Sequence, residues 1–426
     1  MMTFSLTPLT DRLIAVSLLS VWTLFVLFQL WGFWPPDLAA IYIAGHLWQT
    51  GQTELIYAAP PGFFGGPADS WLPVIYELGG RTELETAFPY VYPPLWAVLT
   101  APLTPHLGFN AFSNLVALVQ MPLLSASVLL AARLFRPANL PLAGWSLAAV
   151  CVLFFSLQSL MAIVHNQPTV TVIFLILLCF DRLDRGQDRV AGAVLALAAA
   201  IKLWPVAFAV ILLLDRRWRA LAAFALAGAA LGLLSIVLAG WPMHRAFLDM
   251  LGLVKEAGLL SVANISLVPV IMTGAMILGL ADPVDFTNKI VVFRDVPVWL
   301  GPLLLALGAA YFVALSQRLR QWPAPDRRAM LVFALSILVP LFGPLGWSHY
   351  YLLPLFMLPG LVARLPKREM LGFALGAALI SIEDIASPIT DQPVAAAVYT
   401  LVGCAFWLWV LWRLYRYAGE AGRQPA

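Results

Sequence analysis

Between Arg189 and Arg219 the chain reads RVAGAVLALAAAIKLWPVAFAVILLLDRRWR. Two apolar arms, 190–201 and 204–214, flank Lys202-Leu203-Trp204-Pro205, and basic residues stand at both outer ends (Arg189; Arg216, Arg217, Arg219). A helical arm of about 12 residues reaches ~18 Å at 1.5 Å per residue, short of the ~30 Å hydrocarbon core. Basic flanks on both sides place both feet in the cytoplasm. The arms therefore form a hairpin that enters the membrane and returns, with the Lys202 apex inside it and covered by protein.

Working outward, apolar runs recur over all 426 residues: 62% are hydrophobic and 11% charged, with a mean hydropathy of +0.87. Soluble domains carry roughly 25% charged and 45–50% apolar residues. The expected fold class is all-α: a polytopic membrane protein of about 10–13 transmembrane helices, one domain over 1–426, with interfacial helices in the outer loops. Expected spans lie at 13–33, 110–132, 140–163, 168–180, 219–240, 298–316, 329–346, 349–363, 370–388 and 394–412. The first run is too long for a signal-peptide core and lacks a small-x-small cleavage site after it. With both termini in the cytoplasm, all but Arg81, Lys202, Arg245, Lys255, Lys289 and Arg294 of the 25 basic residues fall on the inner side, as the positive-inside rule favours. The run 266–281 is then re-entrant or interfacial, and Tyr92–Leu103 is a short juxtamembrane element. Two long segments, 34–109 and 241–297, face outward, and chemistry is expected there. Cys151, Cys179 and Cys404 lie in apolar runs, which suggests neither disulfides nor a metal site.

Asp37 follows Trp34-Pro35-Pro36 just past the first span. It suits a helix N-cap and equally a general base at the membrane surface. Lys202 at membrane depth marks either a functional site or a lysine paired with a buried carboxylate; Glu383 and Asp384 are the carboxylates at a similar depth. His165-Asn166-Gln167 and Trp347-Ser348-His349 are polar clusters at outer turns, readable as loop polarity, an aromatic belt or substrate contacts. Asn264-Ile265-Ser266 also matches a glycosylation sequon.

Taken in order, these pieces resemble glycosyltransferase family 87, membrane enzymes of GT-C type that include polyprenyl-phosphate-mannose-dependent mannosyltransferases. The resemblance runs over about 37–351. It rests on Asp37-x4-Tyr42-x2-Gly45, Leu55-Ile56-Tyr57, Tyr90-Val91-Tyr92-Pro93-Pro94-Leu95 and His165-Asn166-Gln167, then on Gly192-x8-Ile201-Lys202-Leu203-Trp204-Pro205, Arg216-Arg217-Trp218-Arg219, Asn264-Ile265-Ser266-Leu267 and Trp347-Ser348-His349. It implies a GT-C-like bundle and transfer of a hexose, mannose above all, from a polyprenyl-phosphate donor to a lipid or glycan acceptor at the outer face, with inversion and with neither metal nor cofactor. It makes Asp37 the catalytic residue, with Lys202, His349, Tyr92, Asn166, Gln167, Asn264 and Tyr42 binding substrate. The family's Asn-Gln-x-Asn pattern reads Asn166-Gln167-Pro168-Thr169 here, so its second asparagine has no counterpart.

The chemistry is consistent with this set. A polyprenyl phosphate is a weakly basic leaving group that needs electrostatic stabilisation rather than a proton donor. Partners are then the donor, the acceptor and membrane lipids, with no nucleic acid, and the location is a bacterial plasma (inner) membrane. The competing readings are a lipid or small-molecule transporter or flippase, which the intramembrane charges favour and the lack of an internal repeat disfavours, and a non-catalytic scaffold. The orientation is testable by cysteine labelling. In a background without native cysteines, a cysteine at Gln52 should react with an impermeant thiol reagent in intact cells, and one at Gln187 should not. Labelling at 187 from outside overturns the orientation.

Overall fold

The computed structural model describes residues 7–60, 63, 66–79, 86–256, 258–284, 291–293, 295–381 and 393–421. Among them are seventeen α-helices and one two-stranded ribbon, so the chain is an all-α polytopic membrane protein.

Helix α1 (Pro8–Leu30) begins at Thr7, whose hydroxyl accepts from Thr10 N at 3.2 Å, with Pro8 at the first helical position. It buries Ala15, Leu19, Trp22, Val26 and Leu30 along one stripe and leaves Leu24 and Phe28 exposed. A helix apolar on both faces suits a lipid-facing position. Next come α2 (Pro36–Gln49), α3 (Leu72–Glu77) and α4 (Pro94–Thr100). The sequence suggests an interfacial helix at α2, but the structure buries it on nearly every side, Leu38, Ala39, Tyr42, Ile43 and Leu47 included. It packs against α4, so close that a Cβ on Gly45 would meet the Thr100 side chain at 2.9 Å.

Helices α5 (Phe109–Phe135), α6 (Leu142–Phe155), α7 (Leu157–Val164) and α8 (Thr169–Asp184) follow. The Asp11 carboxylate of α1 accepts from Leu142 N and Ala143 N at 2.9 and 2.8 Å, capping α6 from a neighbouring helix. Helices α7 and α8 meet at 111°. The expected hairpin is present: α9 (Asp188–Ile201), a 3-10 turn Trp204–Phe208, and α10 (Ala209–Leu214). Helix α11 (Trp218–Glu256) contains a break at Gly240, φ 77° and ψ 158°. That is where the expected span 219–240 gives way to the outer segment. Gly192 lets α9 approach α11, since a Cβ there would stand 2.0 Å from Ala220 O.

Strand β1 (Gly258–Leu260) pairs antiparallel with β2 (Val291–Phe293), Gly258 opposite Phe293. Between them α12 (Leu267–Ile277) has 11 residues, about 16 Å at 1.5 Å per residue, too short to cross. Then come α13 (Leu300–Arg318), α14 (Ala324–Phe342), α15 (Leu352–Val362), α16 (Lys367–Ser381) and α17 (Pro393–Ala421).

Among the described residues five helices are long and apolar enough to cross a membrane singly, six if α7 and α8 form one bent span. Many of the other apolar runs are divided: α6 stops at extended Ser156, and α14 and α15 are separated by the turn at 343–351. Helix α14 also opens with Asp326, Arg327 and Arg328 and is buried from Arg328 to Leu338 without interruption, so its apolar character serves the interior of the bundle rather than lipid.

The basic end of the bundle is closed by ion pairs. Arg328, 3% exposed, contacts Asp184 at 3.0 Å and Asp215 at 2.9 Å, and Arg327 reaches Asp215 at 2.6 Å. Asp181 pairs with Arg133, Arg182 and Arg185 at 3.6, 2.8 and 3.1 Å. Asp215 ends α10 and Asp184 ends α8, so these contacts fix the feet of the hairpin. Stranding buried carboxylates by removing their partner costs about 3–5 kcal/mol. Arg328→Met should therefore lower the detergent melting temperature markedly, and the double variant with Asp215→Asn should recover part of it. An unchanged melting temperature in Arg328→Met refutes this role.

Candidate active site

The lining of the site comes from four segments that local structure brings together. Asp37 lies in the first turn of α2, but the N-cap position belongs to Pro35 and no side chain caps the helix. The capping role is thus not realised. The carboxylate instead sits beside the positive end of the helix dipole, with His165 Nδ1 3.5 Å from its Oδ2.

His165 ends α7 at the sharp bend, where Asn166 takes the left-handed conformation, φ 45°, one that asparagine tolerates. Two groups of α5 hold the bend: Gln120 Nε2 donates to Asn166 O at 3.1 Å, and Asn166 Nδ2 donates to Ser113 O at 3.4 Å. Gln167 then points its Oε1 at two donors, Lys202 Nζ at 3.0 Å and Tyr92 OH at 3.5 Å. Burial, and after it the Asp37 carboxylate, push the Tyr92 phenol well above its ordinary range, so it stays a neutral donor.

Lys202 terminates α9 in extended conformation. The apex is fixed from outside by Trp96, whose indole donates to Ala200 O at 2.8 Å. The ammonium lies 5.5 Å from the Tyr92 ring centre and 5.1 Å from that of Tyr350. Among the described residues no carboxylate lies within ion-pair distance of it; Glu383 and Asp384 fall outside the described residues. Trp204 packs on Tyr350 with centroids 5.3 Å apart.

The fourth segment is the turn 343–351. Asn264 Oδ1 accepts from Gly346 N and its Nδ2 donates to Leu259 O, at 2.7 and 2.6 Å. Ile265 N donates to Gly346 O and Ser348 N to Ala263 O, both at 2.7 Å. Only glycine fits this clasp, because a Cβ on residue 346 would stand 2.2 Å from Ile265 O. The clasp seats the 3-10 turn Ser348–Tyr351, which brings His349 to the site.

The result is a cavity of about 470 Å³. Asp37, Tyr92, Gln167, Lys202 and His349 line it, five of the residues expected from sequence. The other three do not. Tyr42 is buried and donates to Leu107 O at 2.6 Å, Asn166 holds the bend, and Asn264 forms the clasp. His165, Trp204, Ser348 and Tyr350 also border the cavity. The sequence carries no signal tying His165 to Asp37, 128 positions away; the pairing exists only through the α7–α8 bend. The remaining wall is apolar, with Phe247, Met250 and Val254 from the half of α11 beyond Gly240, joined by Leu305 of α13 and Val339 of α14.

A carboxylate and an ammonium thus share an apolar-walled cavity within the helical bundle. Residues 90–344 match the sequence profile of glycosyltransferase family 87. That is more than half of the chain, and the chain belongs to this family. It is accordingly a membrane glycosyltransferase, and membership sets aside the transporter reading. No curated protein matches it.

Removing the Lys202 charge tests its ligand. Lys202→Met should fold, because it removes a buried charge and Tyr92 OH remains as a donor to the Gln167 oxygen. Polyprenyl phosphate at a hundredfold its Kd should stabilise wild type by about 2.7 kcal/mol, and that stabilisation should disappear in the variant. An undiminished melting shift in folded Lys202→Met excludes Lys202 as the phosphate ligand.

Proposed function

We propose that the chain transfers a hexose, mannose foremost, from a polyprenyl-phosphate donor to a hydroxyl of a lipid or glycan acceptor, with inversion, at the outer face of a bacterial plasma membrane. The observation that carries this reading is the unpaired coexistence of Asp37 and Lys202 on one cavity wall. They are within electrostatic reach of each other, yet no ion pair joins them; Asp37 is held by His165 and Lys202 by Gln167. An ion pair between them would neutralise both groups; without it, each remains available to a substrate in the cavity.

In the proposed step the Asp37 carboxylate takes the proton from the acceptor hydroxyl as its oxygen attacks the anomeric carbon. The bond from that carbon to the phosphate oxygen breaks, its electron pair leaving on the phosphate. Lys202 offsets the charge that accumulates there, an interaction stronger in the transition state than in the ground state. His165 holds the carboxylate oriented, and Tyr92 and Lys202 share the Gln167 oxygen, which keeps the ammonium aimed at the cavity. Phe247, Met250 and Val254 supply an apolar surface for the prenyl chain. The segments that build the site, 34–109, 241–297 and the 343–351 turn, are those the basic-residue distribution assigns outside, which supports action at that face.

The test combines purified protein, labelled polyprenyl-phosphate hexoses and a total lipid and glycan extract. Label should leave the donor without any ion gradient. Asp37→Asn should keep its fold and donor binding while turnover falls by roughly 10²–10⁴, the scale of acid–base groups. A fully active Asp37→Asn enzyme returns Asp37 to a structural role.

A further inference from the structure

Two tyrosines line the cavity, Tyr92 and Tyr350. Among the described residues every buried tyrosine donates its hydroxyl to a protein oxygen: Tyr42, Tyr90, Tyr92, Tyr351 and Tyr399. Tyr350 departs from this pattern. It is only half-buried, and its hydroxyl makes no hydrogen bond among the described residues. Ser348 Oγ and His349 Nε2 of the same turn are enclosed by protein, whereas the Tyr350 oxygen is not. A phenol left open on a cavity wall is available to whatever fills the cavity.

The ring is held on several sides. Trp204 packs on it with centroids 5.3 Å apart, His349 meets it edge-on at 4.9 Å, and Tyr350 N donates to Trp347 O at 2.9 Å. The Lys202 ammonium lies 5.1 Å from the ring centre, so the open hydroxyl belongs to the neighbourhood of that charge. Burial, and after it the Asp37 carboxylate, push the phenol above its ordinary range, and it keeps its proton. Among the described residues no hydrogen bond joins it to Asp37, which leaves the donor for a ligand. An anionic oxygen drawn to Lys202 is the strongest acceptor such a ligand can offer.

We propose that the Tyr350 hydroxyl hydrogen-bonds a phosphate oxygen of the polyprenyl-phosphate donor beside Lys202, which makes Tyr350 a further catalytic residue. This rests on the sugar-transfer reading above. As the bond from the anomeric carbon breaks, its electron pair stays on the phosphate and the phenol retains its proton. The hydrogen bond strengthens as that charge accumulates, so it lowers the barrier rather than merely tightening binding. Lys202 and Tyr350 then share the charge, one as an ammonium and the other as a neutral, preorganised donor.

The experiment compares wild type with Tyr350→Phe, which removes the hydroxyl and keeps the ring. Label transfer from a polyprenyl-phosphate hexose should fall about 10–100-fold in kcat, the scale of one hydrogen bond to a charged group. The melting shift given by polyprenyl phosphate should shrink as well. Without lipid the variant should melt at or above the wild-type temperature, since the hydroxyl has no partner among the described residues. An unchanged kcat overturns the proposal while sugar transfer stands. A rise in acceptor KM alone assigns the hydroxyl to the acceptor and overturns it too. If the Phe variant does not fold, a ring-difluorinated tyrosine at position 350 decides, because it keeps the hydroxyl as a stronger donor. Below the pH at which that phenol ionises, polyprenyl phosphate should bind more tightly than to wild type; equal or weaker binding overturns the proposal. If wild type uses no polyprenyl-phosphate sugar at all, the sugar-transfer reading falls and this one with it.

Discussion

An ammonium held away from bulk water with no carboxylate of the described residues at ion-pair distance costs several kcal/mol after relaxation, and the site depends on how Lys202 meets that cost. Its protein partners are the Gln167 oxygen and two aromatic faces. A cation–π contact contributes about 0.5–2 kcal/mol, and a hydrogen bond involving a charged group about 1.5–3 kcal/mol. Those contributions hold the lysine in place without neutralising it. An anion entering the cavity therefore gains more here than beside a lysine already bound to glutamate or aspartate. The same shortage explains the rest of the frame. The hairpin is anchored at its feet by Arg328, Asp184 and Asp215 and at its apex by Trp96, so the ammonium cannot relieve its position by snorkelling.

Much of this frame was legible in the sequence because it follows from length and charge. Arms shorter than a membrane crossing, with arginines at both feet, define the hairpin without knowledge of its neighbours. Gly240 ended the expected span where the backbone does break. Legibility failed where an element's environment, rather than its composition, decides its role. Helix α2 is apolar because nearly every side of it is buried against protein, and hydropathy reads such burial and a membrane interface alike.

The site residues divide along the same line. Asp37, Lys202 and His349 were recognisable as charged or titratable groups in apolar company. Tyr42, Asn166 and Asn264 stood out as equally polar, yet their hydrogen bonds go to Leu107 O, Ser113 O and Leu259 O, and these contacts shape the cavity from behind. Sequence pattern identifies a polar residue that must be satisfied; only tertiary structure shows whether protein or ligand satisfies it. His165 stood in a polar cluster that the sequence displays, but its contact with Asp37 arises only across the bend.

The separation of roles follows from this accounting of partners. Tyr42, Asn166 and Asn264, behind the cavity, each hydrogen-bond to backbone carbonyls of the protein, and their loss is a matter of stability. At the cavity, Lys202 has one neutral acceptor. A folded protein that leaves such a group under-paired forgoes stability that better pairing would provide. In the proposed function, a phosphate entering the cavity supplies the anionic partner that Lys202 lacks among the described residues. Binding then draws on interactions that folding left unmade, and the most demanding of them, at Lys202, lies where the proposed transfer step develops its charge.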